Sequence, residues 1–168
     1  PQNILNTDLI VYSSAIPKTN PELVMGRKNK IPIIKRAEML GELISLKERS
    51  IAVGGTHGKT TTSSMIGSIL NFSKKDPTLI IGGLVQNIKS NNKMGSSDII
   101  VVEADEFDRS FLALKPTIAI ITNIELEHTD CYDNIEDLKS AFIQFAKSVP
   151  FYGEIIACLD SPIVEEIL

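Results

Sequence analysis

Cysteine, histidine and net positive charge are all scarce in this chain. Two cysteines, Cys131 and Cys158, in 168 residues show no C-x-x-C spacing, so the chain does not resemble a disulfide framework. A reducing, cytoplasmic compartment is the expected one. Lys and Arg number 17 against 21 Asp and Glu, for a net charge of −4 and a sequence pI near 5.2. No overall basic field therefore recommends nucleic acid or an anionic membrane surface as partner, and an anionic ligand has to be held by local donors and metal ions. No apolar run approaches the ~20 residues of a membrane span, and no signal-peptide pattern opens the chain. Internal repeats and low-complexity tracts are absent as well. What remains is 43% apolar and 23% charged, the balance of a folded globular chain. The length suits one domain, or one plus part of another. The first residue is Pro1, and the sequence reads as a piece of a longer protein.

Along the chain, short apolar runs alternate with helical stripes. Leu9–Tyr12 is a β-prone run leading into the loop Ser13-Ser-Ala-Ile-Pro17. Asn20-Pro21 starts a helix that is expected to reach Lys28, with Asn20 as its cap and Pro21 in the first position. Ile31–Ile34 is extended, and Arg36–Lys47 carries a second helical stripe. Further strands are expected at Ile51–Val53, Thr78–Ile81, Asp98–Glu103, Ile118–Thr122 and Ile155–Leu159. The polar stretch Gln86–Ser97 reads as a long loop or a hairpin. Asp133-Asn134 caps a helix whose buried side is Leu138, Ala141, Phe142, Phe145 and Ala146. That face is expected to be left partly uncovered. Alternating strands and helices imply an α/β fold with a mainly parallel sheet.

The organising stretch is Ile51-Ala-Val-Gly-Gly-Thr-His-Gly-Lys-Thr-Thr-Thr62. Gly54, Gly55 and Gly58 let the backbone turn sharply and bring N–H groups close to an anion. Lys59 adds a point charge, and the Thr60 hydroxyl is placed to reach a metal ion. Met65, Ile66, Ile69 and Leu70 form the expected buried face of the helix that follows. The loop thus sits at a helix N-terminus, where the macrodipole favours phosphate. It is a shortened variant of G-x-x-x-x-G-K-[ST], because Val53 stands where the first glycine belongs. Expected phosphate contacts are Gly55, Thr56, His57, Gly58, Lys59, Thr60 and Thr61, with His57 either touching phosphate or capping the turn.

Open α/β sheets bind ligands at the carboxyl ends of their strands. Glu103 ends the apolar run Ile99-Ile-Val-Val102 there and is expected to support a nucleotide's Mg²⁺ together with Thr60. Asp105, Glu106 and Asp108 follow, and Arg109 is expected to pair with one of them. His128 lies just past another apolar strand, in Thr122-Asn-Ile-Glu-Leu-Glu-His128. A metal ligand, a phosphate donor and a general base are all open to it.

The motifs Gly55–Thr62, Val102-Glu-Ala-Asp-Glu-Phe-Asp-Arg-Ser-Phe111, Thr122–His128 and Val149-Pro-Phe-Tyr-Gly153 resemble the Mur ligases. Ser13-Ser-Ala-Ile-Pro17 and Ile31–Leu40 resemble the end of that family's UDP-sugar domain. The resemblance implies that residues 1–48 are the C-terminal part of a Rossmann-like UDP-sugar-binding domain. Residues 49–168 would then be the first part of a P-loop-type central ATPase domain, with the C-terminal amino-acid domain outside the sequence. The stretch alone is expected not to ligate.

As the resemblance implies, the activity is ATP-dependent amide formation that joins L-alanine to the lactyl carboxylate of UDP-N-acetylmuramate through an acyl phosphate. Within the family the alternative is the branch that recycles murein tripeptide. A generic P-loop ATPase and a non-catalytic UDP-sugar-binding module are the rivals from outside it. The implied catalytic residues are Lys59, Glu103 and His128. Thr60, Glu103 and His128 are the implied ligands of two Mg²⁺ ions, and Ser13, Ser14 and Asn123 the implied substrate contacts. The implied partners are ATP, UDP-N-acetylmuramate and L-alanine, without nucleic acid or membrane insertion.

Overall fold

The computed structural model describes residues 2–4, 6–85, 90–127 and 130–168. Two sheets are present among them, and the smaller comes first. Strand β1 (Ile10–Tyr12) pairs in parallel with β2 (Ile33–Lys35), Ile10 opposite Ile33. Helix α1 (Pro21–Lys28) connects them and starts as the sequence dictates, with Asn20 Oδ1 accepting the Glu22 N–H at 2.9 Å. Helix α2 (Arg36–Ser45) follows β2 directly.

The larger sheet has six strands in the order β5-β4-β6-β3-β7-β8. They are β3 (Arg49–Gly54), β4 (Thr78–Val85), β5 (Ser90–Lys93), β6 (Ile99–Glu103), β7 (Ile118–Ile121) and β8 (Glu154–Ala157). All neighbours are parallel except the β4–β5 hairpin. Of the stretch expected as a loop or hairpin, 86–89 lie outside the described residues and Ser90–Lys93 form the edge strand, while β4 runs on past the expected end at Ile81 to Val85. Lys93 pairs with Asp76 at the hairpin's base, which holds the Asp76 carboxyl well below the usual carboxylate range.

Central strand β3 sets the site. From it the chain goes to one side for β4 and β6, then crosses to the other for β7 and β8. That reversal falls at the carboxyl ends of β3, β6 and β7, where open α/β sheets bind their ligands. Two faces of helix close over the sheet. On one, α4 (Ile135–Lys147) buries Leu138, Ala141, Phe142, Phe145 and Ala146, its Asn134 cap accepting the Asp137 N–H at 2.9 Å. Phe111 stacks on both Phe142 and Phe145, with centroids 5.1 Å apart in each case. The expected gap over this helix is not there, because β7, the 3-10 segment Phe107–Ala113 and α5 (Pro162–Ile167) fill it.

On the other face lies α3 (Lys59–Phe72), turned differently from the expected stripe. Ile66 and Leu70 do pack on Leu79, Ile81 and Val101. Met65 and Ile69 are 58% and 62% exposed, and buried Ser63 and Gly67 take their place. The small residues let α3 lie close to the sheet: a Cβ on Gly67 would come within 2.9 Å of Leu79.

Candidate active site

The loop between β3 and α3 is anchored from the strand beside it. Gly55 has φ +135°, and a Cβ there would stand 2.0 Å from Thr122 Oγ1. Only glycine allows that approach. The Thr56 N–H donates to Asn123 O at 3.0 Å, and the Thr56 hydroxyl donates to Glu125 O at 3.1 Å. The His57 N–H donates to Asn123 Oδ1 at 2.8 Å, while Thr122 Oγ1 donates to His57 O at 2.6 Å. Gly58, at φ +82°, caps α3 in the left-handed region. The first helical bond runs from Thr62 N to Gly58 O, so the N–H groups of Lys59, Thr60 and Thr61 have no acceptor within the helix. These are the donors and the dipole end that an anion requires.

Two carboxylates, Glu103 at the end of β6 and Glu106 just past it, address the start of α3. Thr60 Oγ1 donates to Glu103, 2.9 Å from Oε1 and 3.0 Å from Oε2. Glu103 Oε2 also accepts the Gly82 N–H at 2.7 Å, and a Cβ on Gly82 would crowd that same carboxylate at 3.0 Å. Lys59 Nζ turns back on its own loop, donating to Gly55 O at 2.7 Å, Thr56 O at 3.2 Å and Glu106 Oε2 at 2.7 Å. Glu106 as the lysine's partner goes beyond the sequence reading. The available signal was its position three residues after Glu103, past the end of the same buried strand.

Arg109 does not pair with its acidic neighbours at 105, 106 or 108. Asp108 and Arg109 both adopt positive φ, at 56° and 55°, and this kink sends the guanidinium to Asp137 on α4. It also lies 4.8 Å over the Tyr132 ring. The hydrogen bond to Asp137 raises the Arg109 pKa and holds the Asp137 carboxyl below the usual range. Burial pushes the Tyr132 phenol up.

The remaining expected residues fall in two places. Ser13 and Ser14 line a cleft of about 660 Å³ that also takes in Arg36, Glu103, Asp105 and Asp108. Packing of α2 against the 3-10 segment shapes it, with a Cβ on Gly41 2.5 Å from Ala113 O. Asn123 is engaged with the loop backbone and does not line the cleft. The His57 ring, half exposed, lies 3.4 Å from Glu127 and 3.7 Å from Glu125. His128 lies outside the described residues.

Residues 53–168 match the Mur ligase middle domain, and residues 1–48 match the Mur ligase family catalytic domain. The chain belongs to the Mur ligase family. This Mur ligase sequence is 52% identical over 167 residues to the UDP-N-acetylmuramate–L-alanine ligase of Myxococcus xanthus, covering 99% of the chain and 35% of that protein. It thus spans about a third of the length of the curated relatives it matches. The crystal structure of UDP-N-acetylmuramate–alanine ligase from Thermotoga maritima superposes with a TM-score of 0.85 at 27% identity, over 99% of this chain and 38% of that one. A second Mur ligase structure shows the same fold with a TM-score of 0.84 at 24% identity. It is UDP-N-acetylmuramate:L-alanyl-γ-D-glutamyl-meso-diaminopimelate ligase from Neisseria meningitides, matched over 96% of this chain and 55% of that one.

The residues of this Mur ligase site suit a magnesium nucleotide. Among the described residues no group of three or more His, Cys, Asp or Glu side chains forms a metal cage. Mg²⁺ does not ask for one: it takes one or two protein oxygens and fills its shell with water and substrate phosphate. The Thr60 hydroxyl and Glu103 carboxylate, already within 3.0 Å of each other beside the loop, are such a pair of hard donors.

Proposed function

We propose that the full-length protein is an ATP-dependent ligase that joins L-alanine to the lactyl carboxylate of UDP-N-acetylmuramate, in peptidoglycan precursor synthesis in the cytoplasm. One observation carries the reading. The Lys59-Thr60 pair, set in a phosphate loop, meets two carboxylates at the edge of a cleft that the first 48 residues help to line. The 52% identity to an L-alanine ligase over nearly the whole chain supports the choice of amine. Among the described residues no helix is long and apolar enough to cross a membrane. Residues 1–48 and 49–168 would be parts of the UDP-sugar and ATPase domains.

In this reading the backbone N–H groups of Gly55–Thr61 and the α3 dipole hold the ATP phosphates, and Lys59 neutralises the transferring group. Thr60 and Glu103 would hold Mg²⁺, with His128 at a second ion; such ions supply charge neutralisation of the phosphates. Ser13 and Ser14 face the cleft where the sugar nucleotide would lie, and Asn123 braces the loop nearby. The carboxylate attacks the γ-phosphorus and ADP leaves. The alanine amine then attacks the acyl carbon and phosphate leaves. Bringing two anions together makes this mainly a task of positioning and charge neutralisation.

The test is an assay of the full-length protein with ATP, Mg²⁺, UDP-N-acetylmuramate and either L-alanine or the tripeptide L-alanyl-γ-D-glutamyl-meso-diaminopimelate. L-alanine is expected to be the preferred donor, with one ADP formed per product. Preference for the tripeptide would make the protein a recycling ligase, and ADP formation without ligation would make it a hydrolase.

A further inference from the structure

The contact between Lys59 and Glu106 is not needed to bind a phosphate, yet it is heavily built. Lys59 has three N–H donors, and Gly55 O, Thr56 O and Glu106 Oε2 take all three. The ion pair is deep, the Glu106 side chain 2% exposed and that of Lys59 12%. A pair so buried holds only while both charges are present, because removing one strands the other.

Glu106 is in turn held from behind. Its backbone oxygen accepts the Tyr132 hydroxyl at 2.6 Å and the Arg109 N–H at 3.0 Å. The Arg109 guanidinium covers the Tyr132 ring and is tied to Asp137 on α4. A continuous brace therefore runs from α4 through Arg109, Tyr132 and Glu106 to the loop lysine. Glu103 serves Thr60 and Glu106 serves Lys59, so one strand end governs two successive loop residues.

A nucleotide arriving at the loop has to recruit the ammonium, and one of its three contacts must yield. The bond to Thr56 O is the longest, at 3.2 Å, and its acceptor is neutral. The bond to Glu106 is charge-assisted, 2.7 Å long and buried, and is the most costly to break. We propose that Glu106 is a positioning residue that keeps its hold on Lys59 with nucleotide bound and fixes the point from which the ammonium meets the transferring phosphate. The role rests on the ATP-dependent ligase reading. Misplacement of a charge-stabilising group by about an ångström is felt chiefly in the reacting complex, so loss of the brace slows turnover more than it weakens ATP binding.

The experiment compares full-length wild type, Glu106→Gln, Lys59→Met and the double variant for ligation kinetics and melting temperature. Glu106→Gln is expected to lower kcat by roughly 10- to 100-fold, with KM for ATP within about threefold and a folded protein of lowered melting temperature, since the buried ammonium loses its partner. The double variant should be no slower than Lys59→Met, since Glu106 acts through the lysine. Glu106→Asp, which keeps the charge, should recover part of the rate. The proposal is overturned if Glu106→Gln turns over at the wild-type rate or loses only in KM. It is also overturned if the two substitutions multiply, or if Glu106→Gln does not fold, which makes Glu106 a structural residue. Wild-type ligation separates the two ideas. Without it the ligase reading falls and this role with it, whereas an active wild type beside a fully active Glu106→Gln removes Glu106 alone.

Discussion

Gly55 and Gly58 bend the same loop for different reasons, and their variants should differ accordingly. An alanine at Gly58 meets nothing closer than Thr122 Cγ2 at 4.0 Å. It carries only left-handed backbone strain, about 1–2 kcal/mol. An alanine at Gly55 meets Thr122 Oγ1 at 2.0 Å as well, so the loop must leave the β7 strand end. Nucleotide affinity, measured by titration calorimetry on the full-length protein, is therefore expected to fall further for Gly55→Ala than for Gly58→Ala. The reverse order would contradict the anchoring of the loop by Thr122. Glu103→Ala should cost about 10²–10³ in Mg²⁺-dependent rate, as loss of one preorganised charge-stabilising group does. Wild-type turnover in that variant would remove Glu103 from the site.

Arg109 and Asp137 set a pH dependence whose sign follows from their shifts. The Asp137 carboxyl is held low, chiefly by the Arg109 hydrogen bond. Its contribution to stability is complete above the ordinary carboxylate range near pH 4 and is lost as pH falls through the depressed folded value. In denaturant titrations, the difference between wild type and Asp137→Asn should be largest near neutral pH and shrink below about pH 4. A difference that stays constant down to pH 2 would show the pair to be without effect.

At the scale of elements, α4 and α3 show what a helix sequence reveals. On α4 the large apolar residues sit at 138, 141, 142, 145 and 146 with charges between them, and all five are buried. Phe142→Ala, at a fully enclosed position, should cost about 3–5 kcal/mol in chemical denaturation. On α3 the stripe of Met65, Ile66, Ile69 and Leu70 pointed to a face about one residue away from the true one. Close packing there depends on Ser63 and Gly67, whose small size carries no hydrophobic signal. Met65→Ala should stay within about 0.5 kcal/mol of wild type, and a core-sized loss would reverse that assignment. Polarity left the stretch around Ser90–Lys93 open between a loop and a hairpin, since an edge strand has one side open, and the antiparallel pairing with β4 decides for the hairpin. Arg109 misled for another reason: two consecutive positive-φ residues redirect its side chain to a helix more than twenty residues away, and no local pattern encodes that.

At the scale of the molecule, the site arises because strand ends from distant parts of the sequence converge on one sheet edge. That the glycine loop and Glu103 lie side by side was legible because a strand-to-helix glycine turn and a strand-terminal carboxylate of one parallel sheet fall at the same sheet edge. The Lys59–Glu106 pair was not, because it depends on how the 3-10 segment folds back under the loop. This edge is predicted to bind a magnesium nucleotide through Lys59, Thr60 and Glu103. Calorimetric titration of ATP into the full-length protein, with and without Mg²⁺, tests it against Lys59→Ala. ATP is predicted to bind wild type more tightly with Mg²⁺ and to lose most of its affinity in the variant; unchanged affinity without Lys59, or no ATP binding alongside firm UDP-N-acetylmuramate binding, would contradict it.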